Sequence, residues 1–577
     1  MSSFFVGGGK FPEYEGRRVY FDLSQIRPKG AKISGGFKAP GPNGLRRSLD
    51  KIEHLLQGIV LDSKEPIDLK PINAYDITMH AADAVLSGGV RRSATICLFS
   101  PDDEEMMNAK TGNWFMDNPQ RGRSNNSAVI VRDETTPEQF GKIMESVKQF
   151  GEPGFVFVES TEHTTNPCVE IGMYPQINKK SGWQGCNLTE INGGKCNTEE
   201  DFYKACRAAS ILGTLQAGYT DFKFLTDTSK LIFDREALLG VSITGWMNNP
   251  DILFDEKILQ KGAKIVKDVN KQVAEIIGIN SAARNTCVKP SGNASVLLQT
   301  ASGIHAEHSN MYIRNVQMNK ESEITQAIMK TNPYMVEDSV WSAGGTDVVV
   351  SFPILPKKGS MYKDDLLGVK HLELVKKAQK HWVEAGTNED LCADKGVRHN
   401  VSNTIIVDDW DEVEKYVFEN RHSFAGISFL AMSGDKDYNQ APNTAVITAK
   451  DMVKKYGNAA VFASGMVVDA LKCFNNLWDA CSTAKGFGED LSLESSENAM
   501  KRDWIRRFGK FSDNYLNSDT VLAEHCLKDA YLLHKWNKIQ STLKTVDWKE
   551  DIKERKYTDV DTLAAAACAG GACEIDF

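Results

Sequence analysis

The sequence is short of the features that would send it to a membrane, a polyanion or an oxidising compartment. None of its 577 residues lies in an apolar run long enough to cross a bilayer. The first residues, Met1 to Gly9, have neither a charged n-region nor a long apolar stretch, so no secretory leader is expected. Basic charge is not in excess. The 68 Lys and Arg stand against 77 Asp and Glu, and the net charge of -9 argues against a broad nucleic-acid surface while leaving room for a local phosphate pocket. No Cys-x-x-Cys pair is present, and no His stands near the closest cysteine pairs at finger spacing, so no metal site is expected. Internal repeats and low-complexity linkers are missing too. A cytoplasmic location is expected, without a membrane or direct nucleic-acid partner.

What is present is an ordinary globular composition, 25% charged and 41% hydrophobic, in a chain long enough for several domains or one large α/β barrel. Helical periodicity is expected over Leu49–Leu61, Asn73–Leu86, Pro137–Phe150, Glu199–Ala217 and Glu256–Ile277. Strand-like runs are Arg18–Leu23, Thr95–Phe99, Ser127–Val131, Gly154–Val158, Leu239–Thr244, Thr346–Phe352 and Asn403–Val407. This alternation predicts a largely parallel α/β sheet or barrel over 1–445. A charged helical region follows over 446–555. The end, 556–577, is a small-residue tail that cannot pack as an element of its own.

Twelve cysteines need an account. In a reducing compartment they are free or redox-active rather than structural disulfides. Two groups stand out. Asn166-Pro167-Cys168-Val169-Glu170 sets a thiol two residues from a carboxylate, and in an extended segment Asn166, Cys168 and Glu170 would share one face. Gly185-Cys186-Asn187-Leu188 follows. At the other end, Cys568 and Cys573 bracket Ala-Gly-Gly-Ala on the tail. A mobile dithiol suits disulfide exchange, which needs direct sulfur-to-sulfur attack. Lys289-Pro290-Ser291-Gly292-Asn293-Ala294-Ser295 ahead of an apolar run could cradle an anion, though a plain turn fits as well.

Together these segments resemble the catalytic subunit of ribonucleotide reductase, and within it the adenosylcobalamin-dependent class II enzymes of the monomeric, triphosphate-reducing type. Ser87–Ala94, Ser124–Ser127, Asn166–Glu170, Cys186–Leu188, Lys289–Ser295 with Ser302–His305, Lys395–Ser402 and Cys568–Cys573 occur in the family's order. The resemblance implies a ten-stranded α/β barrel, here partial, with an internal finger loop carrying Cys168, plus the appended helical region and a flexible C-terminal tail. It implies reduction of ribonucleoside triphosphates by a thiyl radical on Cys168, generated with adenosylcobalamin. Glu170 would take the 3′-hydroxyl proton and Asn166 would bind the sugar hydroxyls. Cys186 and a partner cysteine would give two electrons, and Cys568 and Cys573 would re-reduce them with a thioredoxin-like or glutaredoxin-like protein. Ser291, Gly292, Ala294 and Ser295 would bind the substrate phosphates, and Ser124 and Asn126 would lie near the substrate. His399 would face the cofactor or serve as a hydrogen-bonded structural histidine.

One feature departs from the family. Its first redox cysteine lies upstream of the Gly88-Gly89-Val90-Arg91-Arg92 segment, whereas Cys97 here lies after it. Cys97 is therefore expected to be a buried strand cysteine. A separate polypeptide is expected to supply the early barrel strands, that first redox cysteine and the regulatory site. The alternatives are a class I type subunit needing a radical-generating partner, and a non-catalytic nucleotide- or cobalamin-binding fragment. No Tyr pair near the C-terminus and no Arg-Val-x-Gly-Tyr glycyl-radical motif is present, which favours class II over classes I and III.

Overall fold

The computed structural model describes residues 20–31, 39–61, 68–84, 86–87, 90–91, 94–320, 322–340, 342, 345–432, 438–487 and 496–548. The tail with Cys568 and Cys573, and residues 88, 89, 92 and 93 of the Ser87–Ala94 segment, lie outside them. The chain forms two units. Among the described residues, one is built from those within 20–307 and 357–432, the other from those within 308–356 and 438–548.

In the first unit, strands β1 (Thr95–Phe99), β2 (Ser124–Val131), β3 (Gly154–Val158), β6 (Thr404–Val407) and β7 (Gly426–Ala431) form a sheet of order β6-β7-β3-β2-β1. Between them in sequence, β4 (Asn187–Asn192) pairs in parallel with β5 (Leu239–Thr244). β5 is extended by a parallel bridge from Val241 to Thr286, and Val288 bridges Val401, three residues before β6. Parallel neighbours need helical crossovers, and the sequence supplies them with clear stop and start signals. Pro137–Phe150 starts on the Thr136 capping box with Gln139 and ends on Gly151 in the left-handed region. Glu199–Ala217 starts on the Thr198–Asp201 box, and Asp255 caps Glu256–Ile277. Pro137–Phe150 packs on β3, Glu199–Ala217 packs on β4 and β5, and Glu256–Ile277 packs on Glu199–Ala217. Phe140, Phe155, Phe157, Phe202, Trp246 and Trp382 fill the core between them, each almost fully buried.

The elements expected at Thr95–Phe99, Pro137–Phe150, Gly154–Val158, Glu199–Ala217, Leu239–Thr244 and Glu256–Ile277 occur with the same bounds. The run Arg18–Leu23 does not form a strand over 20–23, and its first two residues lie outside the described set.

The second unit differs from the division expected at 445. Its helices, from Ala449–Tyr456 to Thr520–Thr542, are backed by an antiparallel sheet of order Val336–Asp338, Asp347–Ile354, Tyr312–Asn319, Asn443–Ala445. Ile539 of the last helix packs with Val348 and Val350 of that sheet. Trp504, Phe508, Phe511, Leu527 and Trp536 form the main core. Helices with one apolar face need a layer to bury it against, and here that layer comes from strands about a hundred residues earlier in the chain. Among the described residues, no helix is long and apolar enough to cross a membrane.

Candidate active site around the Cys168 loop

Cys168 sits at the tip of a loop between Thr164–Thr165 and Gly172–Met173, which pair antiparallel. The tip is not extended. Val169 N–H donates to Asn166 O at 2.9 Å, and Val169 has φ of 62°, a left-handed conformation costly for a β-branched residue. The shared face expected for Asn166, Cys168 and Glu170 is therefore overturned. The turn exposes Cys168 and buries Glu170 to 3% exposure. Asn166 closes the loop from within, its Oδ1 accepting the Ile171 N–H at 3.1 Å.

The strained tip is held by missing side chains elsewhere. A Cβ on Gly426 of β7 would stand 2.7 Å from Val169 Cγ1. One on Gly240 of β5 would meet Ile171 Cδ1 at 3.0 Å and Cys186 Sγ at 3.1 Å. Gly240 is thus the floor on which the loop and Cys186 meet, which brings Asn166, Cys168, Glu170 and Cys186 into one site.

The electrostatics raise the pKa of Cys168, Glu170 and Cys186 alike. Burial raises the Cys168 thiol, the Glu170 carboxylate raises it further, and Lys289 opposes both. Cys168 is therefore a thiol rather than a thiolate at neutral pH, which suits a hydrogen-atom carrier better than a nucleophile. Burial raises Glu170 as well, against its hydrogen bond with Asn166 and the Lys289 charge. Its Oε2 is buried with no hydrogen-bond partner among the described residues. A carboxyl so placed holds its proton more readily than a free one, as a group that exchanges protons with a substrate does. Burial, then the Glu170 charge, pushes the Cys186 thiol far up, against Arg284.

Sequence reasoning missed Glu190. Its carboxylate accepts from Lys289 Nζ at 2.8 Å, from Ser291 Oγ, and from Ser242 Oγ at 3.3 Å. Ser291 is buried at φ of 56°, and Gly292 opens the short helix Gly292–Leu298 with open space around its Cα. Ser295 Oγ turns back to Gly292 O, and Ala294 is half-buried beside it. The signal for Glu190 was its place two residues beyond Leu188, on the strand face that carries Gly240 and Ser242.

β2 turns the other way from the carried-over expectation. Ser124 and Asn126 are buried on the side of Tyr75, and Lys110 Nζ donates to Ser124 O. Asn125 is the residue that reaches the loop, its Nδ2 donating to Pro167 O at 2.9 Å. Cys97 pairs in register with Asn126, so it shares that far side. Cys287 shares an apolar cluster with Cys186 and Cys392. The register sets Cys186 level with Leu238 and Cys287 level with Ser242. Cys186 Sγ nevertheless reaches over Gly240, and burial with the neighbouring Cys186 thiol pushes the Cys287 thiol well up.

His399 is fully buried, and burial beside Arg284 lowers its pKa to about 3. It is a neutral structural histidine. Arg284 itself is fully buried against Glu236 at 2.9 Å.

No protein-family model matches the chain. It is 26% identical over 391 residues to a probable adenosylcobalamin-dependent ribonucleoside-triphosphate reductase of Dictyostelium discoideum, covering 63% of this chain and 48% of that protein. It is 24% identical to the adenosylcobalamin-dependent ribonucleoside-triphosphate reductase of Lactobacillus acidophilus, covering 74% of this chain and 59% of the relative. The Euglena gracilis enzyme of the same name gives 24%, 74% and 57%. The chain thus spans about half to three fifths of the curated relatives it matches. A crystal structure of a B12-dependent class II ribonucleotide reductase superposes with a TM-score of 0.61 at 20% identity, over 74% of this chain and 62% of the other. That likeness concerns the fold.

Proposed function

We propose that this chain carries the reducing centre of an adenosylcobalamin-dependent ribonucleotide reductase acting on nucleoside triphosphates. The observation that carries the reading is the strained Asn166–Glu170 turn, which meets Cys186 over Gly240. Its relatives' names and the class II fold match support it. The ten-stranded barrel and the internal finger loop belong to the same reading.

The cofactor fits one observation here. An exposed thiol that keeps its proton is what a one-electron abstraction requires. When bound, adenosylcobalamin supplies an organic radical by homolysis of its cobalt–carbon bond. The chain's own residues do the rest. Cys168 gives up its hydrogen atom, takes the ribose 3′ hydrogen, and returns it to the same carbon once the 2′ position is reduced. Glu170 accepts the 3′-hydroxyl proton, and Asn166 orients the sugar while bracing the loop. The 2′-hydroxyl leaves as water, and two thiols become a disulfide, supplying two electrons and two protons. Cys186 is one of them. Cys97 faces away from the loop, and Cys287 shares the apolar cluster of Cys186.

Ser291, Gly292, Ala294 and Ser295 take the substrate phosphates in this reading. Asn125 replaces Ser124 and Asn126 as the β2 residue nearest the substrate. Cys568 and Cys573 pass electrons from a thioredoxin-like or glutaredoxin-like protein. A second polypeptide carrying the early strands is supported neither by the relatives nor by the fold match.

The test is deoxycytidine triphosphate formation from CTP with adenosylcobalamin and a small dithiol. It uses the chain alone and the chain with the product of a neighbouring reading frame. Turnover in either arm, lost in Cys168→Ser, supports the reading. Nucleotide binding without turnover in both arms favours a binding fragment.

A further inference from the structure

The Cys168 loop has only a two-residue ladder of its own, so something else must set its height above Gly240. One short segment, 398–400, does so along a single side. Asn400 N–H donates to Glu170 O at 2.9 Å. Gly172 N–H donates to His399 Nδ1 at 3.1 Å. Arg398 O lies so close to Gly172 that a Cβ there would stand 2.0 Å from it.

His399 carries this contact onward. Its Nε2 bonds Leu239 O at 2.9 Å. A backbone N–H can only donate and a carbonyl can only accept, so Nδ1 must accept and Nε2 must carry the hydrogen. The two backbone partners therefore dictate one neutral tautomer, and full burial keeps the ring from turning over to another. The ring is a rigid spacer between the loop and the first residue of β5. Leu239 pairs in register with Asn187, the residue after Cys186. One imidazole thus ties the loop of Cys168 to the strand pair that holds Cys186.

We infer that His399 is a positioning residue, which fixes the Cys168 thiol relative to Cys186 by bridging Gly172 to Leu239. This rests on the reading of Cys168 as the reacting thiol. His399 touches neither substrate nor cofactor and acts through the loop backbone.

Two substitutions separate its two bonds. In His399→Asn the side-chain oxygen reaches the Nδ1 position and keeps an acceptor for Gly172. In His399→Gln the amide reaches the Nε2 position and leaves Gly172 without one. The first readout is the rate of Cys168 alkylation by iodoacetamide in the full chain, followed by peptide mass spectrometry, with half-buried Cys473 as internal reference. The second is CTP reduction as kcat and KM. His399→Gln is expected to change the Cys168 rate several-fold with the Cys473 rate unchanged. Its kcat should fall by about tenfold or more with KM within twofold, because misplacing a reacting group by an ångström is that costly. His399→Asn is expected to recover most of both.

Equal Cys168 rates in wild type and both variants overturn the inference, as do Asn and Gln variants that lose equally. If the Gln variant does not fold, a folded Asn variant with a wild-type Cys168 rate supports the inference and one with an altered rate overturns it. Alkylation of wild-type Cys168 that leaves CTP reduction intact would sink the reading of Cys168 itself. The Asn and Gln rates would still judge His399.

Discussion

The same residue type does opposite things in the two units. In the second unit, Cys481 and Cys526 are fully buried among apolar side chains, and burial pushes both thiols up to about 12. They behave as small hydrophobes. In the first unit Cys168 is exposed on a strained turn, and Cys186 packs over a glycine beside a carboxylate with an unpartnered oxygen. The glycines differ in the same way. Gly240 and Gly426 are occupied from above by other residues, while Gly465, in the helix Ala459–Cys473, has nothing within 4 Å of an added Cβ. Cysteine and glycine are therefore not signals of function by themselves. What distinguishes the active ones is that neighbouring backbone or charge uses the space they leave.

The sharpest break of this comparison is Cys168→Ser against Cys481→Ala. The first should cost CTP reduction about three orders of magnitude or more, because a hydroxyl cannot replace the radical-carrying thiol. The second should leave turnover intact and cost about 1 kcal/mol in urea unfolding. Loss of turnover in Cys481→Ala would erase the contrast.

Next in size is Gly426→Ala, whose methyl would meet Val169. Overpacking should cost about 1–3 kcal/mol, read from the denaturant midpoint. Displacing the tip should lower kcat by about tenfold. A wild-type kcat would mean that the Val169 seat is not needed.

A pH series tests a third difference. His371 of the first unit is buried beside His305, its Nε2 bonded to Ile304 O at 3.0 Å, and burial lowers its pKa from 6.5 to about 4. Its folded pKa lies below the unfolded one, so the unfolded chain binds the extra proton first. The stability that the neutral ring secures is present above pH 6.5 and is lost as pH falls towards 4. The slope is up to about 1.4 kcal/mol per pH unit. Urea midpoints at pH 7.5 and pH 5 should differ less in His371→Asn than in wild type, and equal differences would remove His371 as the cause.

The smallest effect is expected for Gly465→Ala. It should stabilise by about 0.5–1 kcal/mol, since helix geometry is kept and the unfolded chain loses freedom. Thermal unfolding that shows destabilisation would reveal a neighbour the open space does not.

Much of this was legible in the chain. Helix limits set by local caps, such as Thr136 with Gly151 and the Thr198 box, came out at the expected residues, because capping involves only groups within one turn. The grouping of Asn166, Cys168 and Glu170 with Cys186 was legible too, from the motifs' resemblance to the reductase family. The orientation of the tip was not. An extended reading put all three residues on one face, but Val169 turns left-handed because Gly426 has room for it. The face of β2 was also misjudged by one residue, since alternation alone cannot tell which side of a strand meets the Cys168 loop.

The sequence by itself determined the strands Thr95–Phe99, Gly154–Val158 and Leu239–Thr244, the helices Pro137–Phe150, Glu199–Ala217 and Glu256–Ile277, and the order in which they come. All of these depend on contacts between near neighbours in the chain. Only the tertiary structure decided that Cys168 faces outward while Glu170 is buried, that Glu190 gathers Lys289 and Ser291, and that His399 is neutral. It also decided that strands 308–356 belong with helices after 445. Each of those facts rests on groups tens to hundreds of residues apart, where burial and a single hydrogen bond outweigh what local pattern prefers.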